Sequence, residues 1–289
     1  MSEDNRDQHV VPRFYQNFFA ATAEKQLFVR PKGGETIDRP LSTRSQAVED
    51  DAYTIINDGA RDTSCDEVNK RVENWVAPRI ASLDVAGTPS KEQWTAIWAL
   101  TANLLARSRH MRDTLKESIE WAAQVAEELA PVLEEPTIDQ SPVGALFGMK
   151  SMKLAEVLAD LKRASDVAYP LMAARGTEPF LEELKGVTLN LLIAPEDARF
   201  ITSDDPALVY LDGKPAEFVM KEGFLKNPGV EVFLPLAPRM ACLWSFQNKQ
   251  ELAVRPVTTE EVQLRNLDTR QSCYKCVFGS RRDELDVLP

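Results

Sequence analysis

The 289-residue chain has two histidines, His9 and His110, so a histidine-rich zinc centre is impossible. It has four cysteines, Cys65, Cys242, Cys273 and Cys276. Without an export pattern these read as reduced thiols. No apolar run approaches the roughly 18–20 residues that span a bilayer. Met1 to Gln8 is polar and acidic, not basic then apolar as in a secretory signal. A cytoplasmic protein with no membrane association is expected. Glycine is sparse, at 12 residues, and no glycine-rich phosphate loop, G-x-G-x-x-G, H-E-x-x-H or G-x-S-x-G motif occurs. The common nucleotide-binding and hydrolase signatures are thereby absent. Basic excess is missing too: 45 Asp and Glu outweigh 34 Lys and Arg, for a net charge of −11. An extended nucleic-acid-binding face, which must neutralise phosphates, is not expected, although a local basic pocket is compatible with this balance.

The chain is 44% hydrophobic and 27% charged, as globular proteins are. Helical periodicity dominates the first part. Pro12 to Ala20 reads as a short helical turn and Gln26 to Arg30 as a strand, and residues 35–63 read as loop. Ser64 and Glu67 suggest a capping box before Val68, Val72, Trp75, Val76 and Ile80, with Pro78 predicting a kink or an early end. Ser90 and Gln93 form a second box before Trp94, Ile97, Trp98, Leu104 and Leu105. An unbroken helix over residues 90–130 would be about 60 Å long, so a break near Arg107–Arg112 is expected. A further helix is predicted from Ser151 to about Ala174.

After Gly186 the period changes to two. Val187 to Ile193, Arg199 to Ser203, Ala207 to Leu211, Ala216 to Met220, Val230 to Leu234 and Ala241 to Phe246 read as short strands of an antiparallel sheet, with Val187 to Ile193 central. Thr258 and Glu261 cap a last helix, and Tyr274 to Phe278 is a final strand. The expectation is an α+β fold, an N-terminal helical block packed on a C-terminal antiparallel sheet. It would be one domain with two lobes, about 1–180 mainly helical and about 181–289 mainly β with a C-terminal helix.

Three segments carry a family resemblance: His9-Val-Val-Pro12-Arg-Phe-Tyr15-Gln-Asn-Phe18, Thr202-Ser203-Asp204-Asp205-Pro206 after a strand, and Pro235-Leu-Ala-Pro238. In this order they resemble the bacterial domain-of-unknown-function family numbered 4238, from residue 9 to about residue 279. Glu73 matches a helical glutamate of that family and Asn266 an asparagine of the last helix. Arg107 and Arg112 match an Arg-Thr-Pro-x-x-Arg element in which Arg109 replaces the proline. The resemblance implies a fold and a set of residues but no reaction.

His9, Glu73 and Asp204 are the candidate catalytic residues, and Arg107, Arg112 and Asp205 the candidate binding residues. His9 reads as a general base or as a helix-entry residue. Asp204 and Asp205, adjacent on a strand, would face opposite ways, and the same residues equally suit a turn. Arg107 and Arg112 suit an anion clamp, but on one helix they diverge by about 140°. Either reading pairs an arginine with Glu73 or Asp204. Any metal would lean on carboxylates, which suits Mg²⁺ or Mn²⁺ better than Zn²⁺. Cys273-Tyr-Lys-Cys276 has C-x-x-C spacing but no second pair to complete a zinc site, so no metal role is expected for it. Two functions follow: a metal-assisted hydrolase of a phosphate ester or diester in a nucleotide or nucleic acid, or a non-catalytic ligand- or partner-binding protein whose polar cluster is structural. Nothing in the sequence names a partner or an oligomeric state.

Overall fold

A computed structural model describes residues 6–57, 60–129, 137–138, 152–153, 167–175, 187–216, 227–245 and 251–286. Its strands are β1 (Asp7–His9), β2 (Gln26–Pro31), β3 (Leu41–Ser42), β4 (Val48–Asp50), β5 (Ile55–Asn57), β6 (Ala60–Asp62), β7 (Thr137–Ile138), β8 (Met152–Lys153), β9 (Thr188–Ile193), β10 (Thr202–Ser203), β11 (Leu208–Leu211), β12 (Lys214–Ala216), β13 (Val230–Ala237), β14 (Met240–Ser245), β15 (Leu252–Pro256) and β16 (Cys276–Gly279). The helices that matter for the site are α1 (Arg13–Asn17), α2 (Ser64–Ala81), α3 (Lys91–Ala106), α4 (Arg109–Leu129) and α5 (Thr259–Ser272).

The centre is a six-stranded sheet in the order β12-β11-β13-β14-β9-β15. Alternation at period two divides its side chains between two faces. Leu189, Leu191, Val232, Leu234, Cys242 and Trp244 face α3, where Ile97, Leu100 and Leu104 meet them. Leu192, Phe233, Ala241 and Leu243 turn the other way, into a second cluster that includes Val262 of α5. With both faces covered, β14 is buried along its whole length.

The α+β reading holds at the level of composition, with α3 packed against the sheet, but the arrangement differs from expectation in two respects. Strands also occur early in the chain: β2 and β3 join β16 and β10 in a four-stranded sheet. The segment read as loop holds short strands, β4 paired with the distant β1 and β5 paired locally with β6, and two- or three-residue strands are too short to show a period. The large sheet is also not wholly antiparallel, since β15 runs parallel to β9. The physical reason is connectivity. β14 occupies one side of β9 and runs against it, so the chain, reversing after β14, comes up on the other side in the direction of β9. β9 is therefore interior but one strand from the edge, not central. β15 went unrecognised because as an edge strand it is mostly exposed.

Helix boundaries follow local chemistry. Ser90 and Gln93 form the full reciprocal capping box of α3, and the Thr258 hydroxyl accepts the Glu261 N–H at the start of α5. The box expected from Ser64 and Glu67 does not form; instead the Asp62 carboxylate accepts the Ser64 N–H at 2.9 Å. α2 continues through Pro78 and ends at Ala81. Of the helix predicted from Ser151, residues 167–175 are helical while Met152–Lys153 pairs as a strand with β7; 154–166 lie outside the described residues, as do 217–220 of the strand predicted at Ala216.

One buried hydroxyl ties these parts together. The fully buried Tyr15, on α1, donates to the Pro235 carbonyl on β13 at 2.7 Å and accepts from the Thr202 hydroxyl on β10 at 2.7 Å. Burial pushes its phenol far above the ordinary value, only partly opposed by Thr202. Tyr15→Phe keeps the ring and orphans two polar partners. It should lower stability by about 1–3 kcal/mol in urea denaturation, whereas an unchanged midpoint would mean that the node contributes nothing.

Candidate functional site

The expected break between α3 and α4 falls at Arg107 and Ser108. Arg107 is the C-cap of α3, and Ser108 restarts the helix by accepting the Met111 N–H on its hydroxyl at 3.0 Å. The break turns the Arg107 side chain inward, where it is 3% exposed. Its Nε donates to the Tyr53 hydroxyl at 3.0 Å. Nη1 donates to Glu73 Oε1 at 2.6 Å and to Asn103 Oδ1 at 3.2 Å, and Nη2 to the His9 carbonyl at 2.5 Å. The Arg107 carbonyl accepts from the Tyr169 hydroxyl at 2.8 Å. Burial alone would make this guanidinium easier to deprotonate; Tyr53 and Glu73 reverse that and hold its proton more tightly than usual. Three of the predicted residues, His9, Glu73 and Arg107, are thus brought together from the N-terminal strand, α2 and the end of α3.

Beside them lies a cleft of about 160 Å³ whose walls include His9, Arg13, Asp66, Lys70, Glu73 and Arg107. His9 Nε2 is 3.3 Å from the Thr43 carbonyl. A carbonyl only accepts, so this bond places the ring proton on Nε2 and leaves Nδ1 with its lone pair. Burial lowers the pKa of His9, with the Thr43 carbonyl and Glu73 acting against it.

The remaining predicted residues lie elsewhere. Arg112 pairs with Glu49 at 2.6 Å, and Arg109 reaches the same carboxylate at 2.5 Å while its guanidinium lies over the Tyr274 ring. The helix break therefore does not make Arg107 and Arg112 converge. Asp204 is held by the backbone N–H groups of Tyr274, Lys275 and Cys276, at 3.0, 2.8 and 3.5 Å. Burial raises its pKa, and these three donors and Arg109 oppose the shift. The C-x-x-C segment is accordingly the turn that cradles Asp204. Burial pushes the Cys273 and Cys276 thiols up to about 11 and about 12, with Asp204 adding to both shifts. Among the described residues no group of three His, Cys, Asp or Glu side chains could hold a metal ion.

Asp204 and Asp205 lie not on a strand but in a bend after β10, where the Asp205 N–H donates to the Ser203 hydroxyl at 3.1 Å, and the two carboxyls have different surroundings. Asp205 lines a cavity of about 300 Å³ at the start of α4, together with Leu105, Ser108, His110, Leu208 and Val209. Its Oδ1 is buried and has no hydrogen-bond partner. Burial pushes the carboxyl up to about 7, with the Asp204 charge adding to the rise and the N–H groups of His110 and Arg109 opposing it. Sequence reasoning paired neither His110 with Asp205 nor Tyr53 and Glu49 with the arginines. His110 carried one signal, as one of only two histidines; Tyr53 and Glu49 carried none, since both lie in the segment read as loop.

The shift at Asp205 has a definite sign. A carboxyl that is harder to ionise in the folded protein than in the unfolded chain favours folding at low pH. It loses that contribution as the pH rises from about 4 through about 7. Asp205→Asn removes the titration, so the stability of this variant relative to the parent should be higher at pH 8 than at pH 5, by at least about 1 kcal/mol. Urea denaturation at the two pH values reads this, and an equal difference at both would show that Asp205 titrates as an ordinary carboxylate.

The model of a family described as Protein of unknown function (DUF4238) matches residues 7–283. No curated protein and no solved structure matches the chain. No helix among the described residues is long and apolar enough to cross a membrane.

Proposed function

The chain belongs to the DUF4238 family, and from its geometry we propose that it is a ligand-binding protein. In this reading the Arg107 and Asp204 clusters are structural, and the cavity at the start of α4 receives the ligand. The observation that carries the reading is the engagement of Arg107: each of its three guanidinium nitrogens donates to a protein acceptor inside the fold, in four hydrogen bonds. An arginine so held is poorly placed to clamp a substrate anion, because turning its guanidinium toward a ligand would break bonds to buried partners. Asp204 is engaged in the same way by three amides. The cavity, by contrast, has both space and an unpartnered polar atom in its wall.

The phosphate-ester hydrolase reading stands second, on one observation of its own. His9 is held in a single tautomer by Thr43, in a cleft open enough for a phosphate-sized group. There Nδ1 would take a proton from water as the water oxygen attacks phosphorus, and the leaving oxygen would be protonated from solvent. The charge of the cleft ranks this reading lower. Arg13, Lys70 and Arg107 are balanced by Asp7, Asp66 and Glu73, and Lys70 already pairs with Asp66 at 2.6 Å. A phosphate group entering it meets no net positive charge.

One set of variants separates the two. Arg107→Ala leaves Glu73 uncompensated and should cost about 3–5 kcal/mol in urea denaturation, with Asp204→Asn also destabilising. The unsubstituted protein and His9→Gln should both leave the hydrolysis of bis(p-nitrophenyl) phosphate, with Mg²⁺ or Mn²⁺ added, at the buffer background. Turnover by the unsubstituted protein that disappears in His9→Gln would reverse the ranking.

A further inference from the structure

The cavity at the start of α4 has an apolar body and a polar end. Leu105, Leu208 and Val209 supply the first, and Ser108, His110 and Asp205 the second. Of the residues lining it, Asp205 is the one with a buried polar side-chain atom that lacks a hydrogen-bond partner, its Oδ1. In its ionised form the Asp205 carboxyl only accepts, so what Oδ1 then lacks is a donor.

The surroundings narrow the donor further. Asp204 stands next in the chain and adds its own negative charge to the site. The nearby cation, Arg109, is held on Glu49 at 2.5 Å and over Tyr274, so its charge is already shared with another carboxylate. A carboxylate or phosphate ligand would meet repulsion from Asp205. A neutral alcohol would supply a donor but no charge. An ammonium group supplies both, and an attached apolar body fills the remainder against the leucines and Val209.

We propose that this cavity binds a small organic amine, its apolar body against Leu105, Leu208 and Val209 and its ammonium donating to the Asp205 carboxylate. The inference rests on the ligand-binding reading and adds the chemical class. It also gives the difficult ionisation of Asp205 a use: a carboxyl pushed up to about 7 by burial and by Asp204 regains its charged form when a cation arrives beside it. His110 lies at the same polar end of the cavity.

The test uses the full chain and three probes of one shape: benzylamine, benzyl alcohol and benzoate, titrated by calorimetry and by saturation-transfer NMR at pH 7.5. Benzylamine should bind with one-to-one stoichiometry and at least tenfold more tightly than the other two. Asp205→Asn, which keeps the shape of the side chain, should weaken benzylamine at least tenfold and leave benzyl alcohol unchanged. Ser272→Trp, at the exposed rim of the cavity, should abolish benzylamine binding without touching the core. If benzyl alcohol or benzoate binds as well as benzylamine, and Ser272→Trp removes it, the amine assignment is overturned while the cavity remains a ligand site. If benzylamine binds but is indifferent to Ser272→Trp, both the class and the site are wrong. Absence of binding by all three overturns the amine assignment, and a thermal-shift screen of other small molecules against the protein and Ser272→Trp then decides the ligand-binding reading by itself.

Discussion

A charge buried in the middle of the fold must be matched, and Arg107 sets that requirement for this protein. Its guanidinium lies where water cannot solvate it, so each nitrogen needs an acceptor from the chain. The acceptors come from four places: the His9 carbonyl beside the N-terminal strand, the Tyr53 hydroxyl, Glu73 on α2 and Asn103 one turn back on α3. The break between α3 and α4, the position of α2 and the path of the first residues are all tied to this one side chain. Ending α3 at Arg107 also exposes its last carbonyls. Tyr169 answers one of them from the helical stretch at 167–175.

The residues that carry the family resemblance act largely in this way. Tyr15, Thr202 and Pro235 come one from each of the three segments and meet at a single hydroxyl. Asp204 binds the amides of 274–276 and so joins the second segment to the strand β16. Asn266 accepts the Ile201 N–H and donates to the Arg199 carbonyl, which fixes α5 against the same stretch. Each is a polar group whose partner is backbone or a buried side chain far away in sequence. Such residues read as catalytic in a sequence because they are polar and occur in motifs; their burial and pairing are what support the structural reading proposed for them. Two buried side-chain atoms in these segments lack a partner, Gln16 Oε1 and Asp205 Oδ1, and the second lies next in the chain to the carboxylate that three amides hold.

The legible parts were those governed by neighbours along the chain. The capping box at Ser90 and Gln93, the cap at Thr258, the helix break after Leu105 and the alternating strands from Thr188 onward all depend on interactions within a few residues. The arginine–glutamate pairing of Arg107 with Glu73 was also foreseeable, because a buried guanidinium always needs acceptors. The pairing of β4 with β1, the parallel pairing of β15 and the sharing of Glu49 by Arg109 and Arg112 were not, since each depends on a partner tens of residues away; β5 and β6 pair locally but are too short to show a period.

By itself, then, the sequence determined the capped starts of α3 and α5, the break between α3 and α4, the two faces of the large sheet and the need of the buried cations for acceptors. All of these follow from periodicity, capping and the valence of polar groups. Only the tertiary structure decided which polar residues are exhausted by internal partners and which keep an open valence. That distinction separates Arg107 and Asp204 from Asp205. It is a matter of geometry between segments distant in the chain, 34 residues apart from Glu73 to Arg107 and 70 from Asp204 to Tyr274, and no local pattern encodes it.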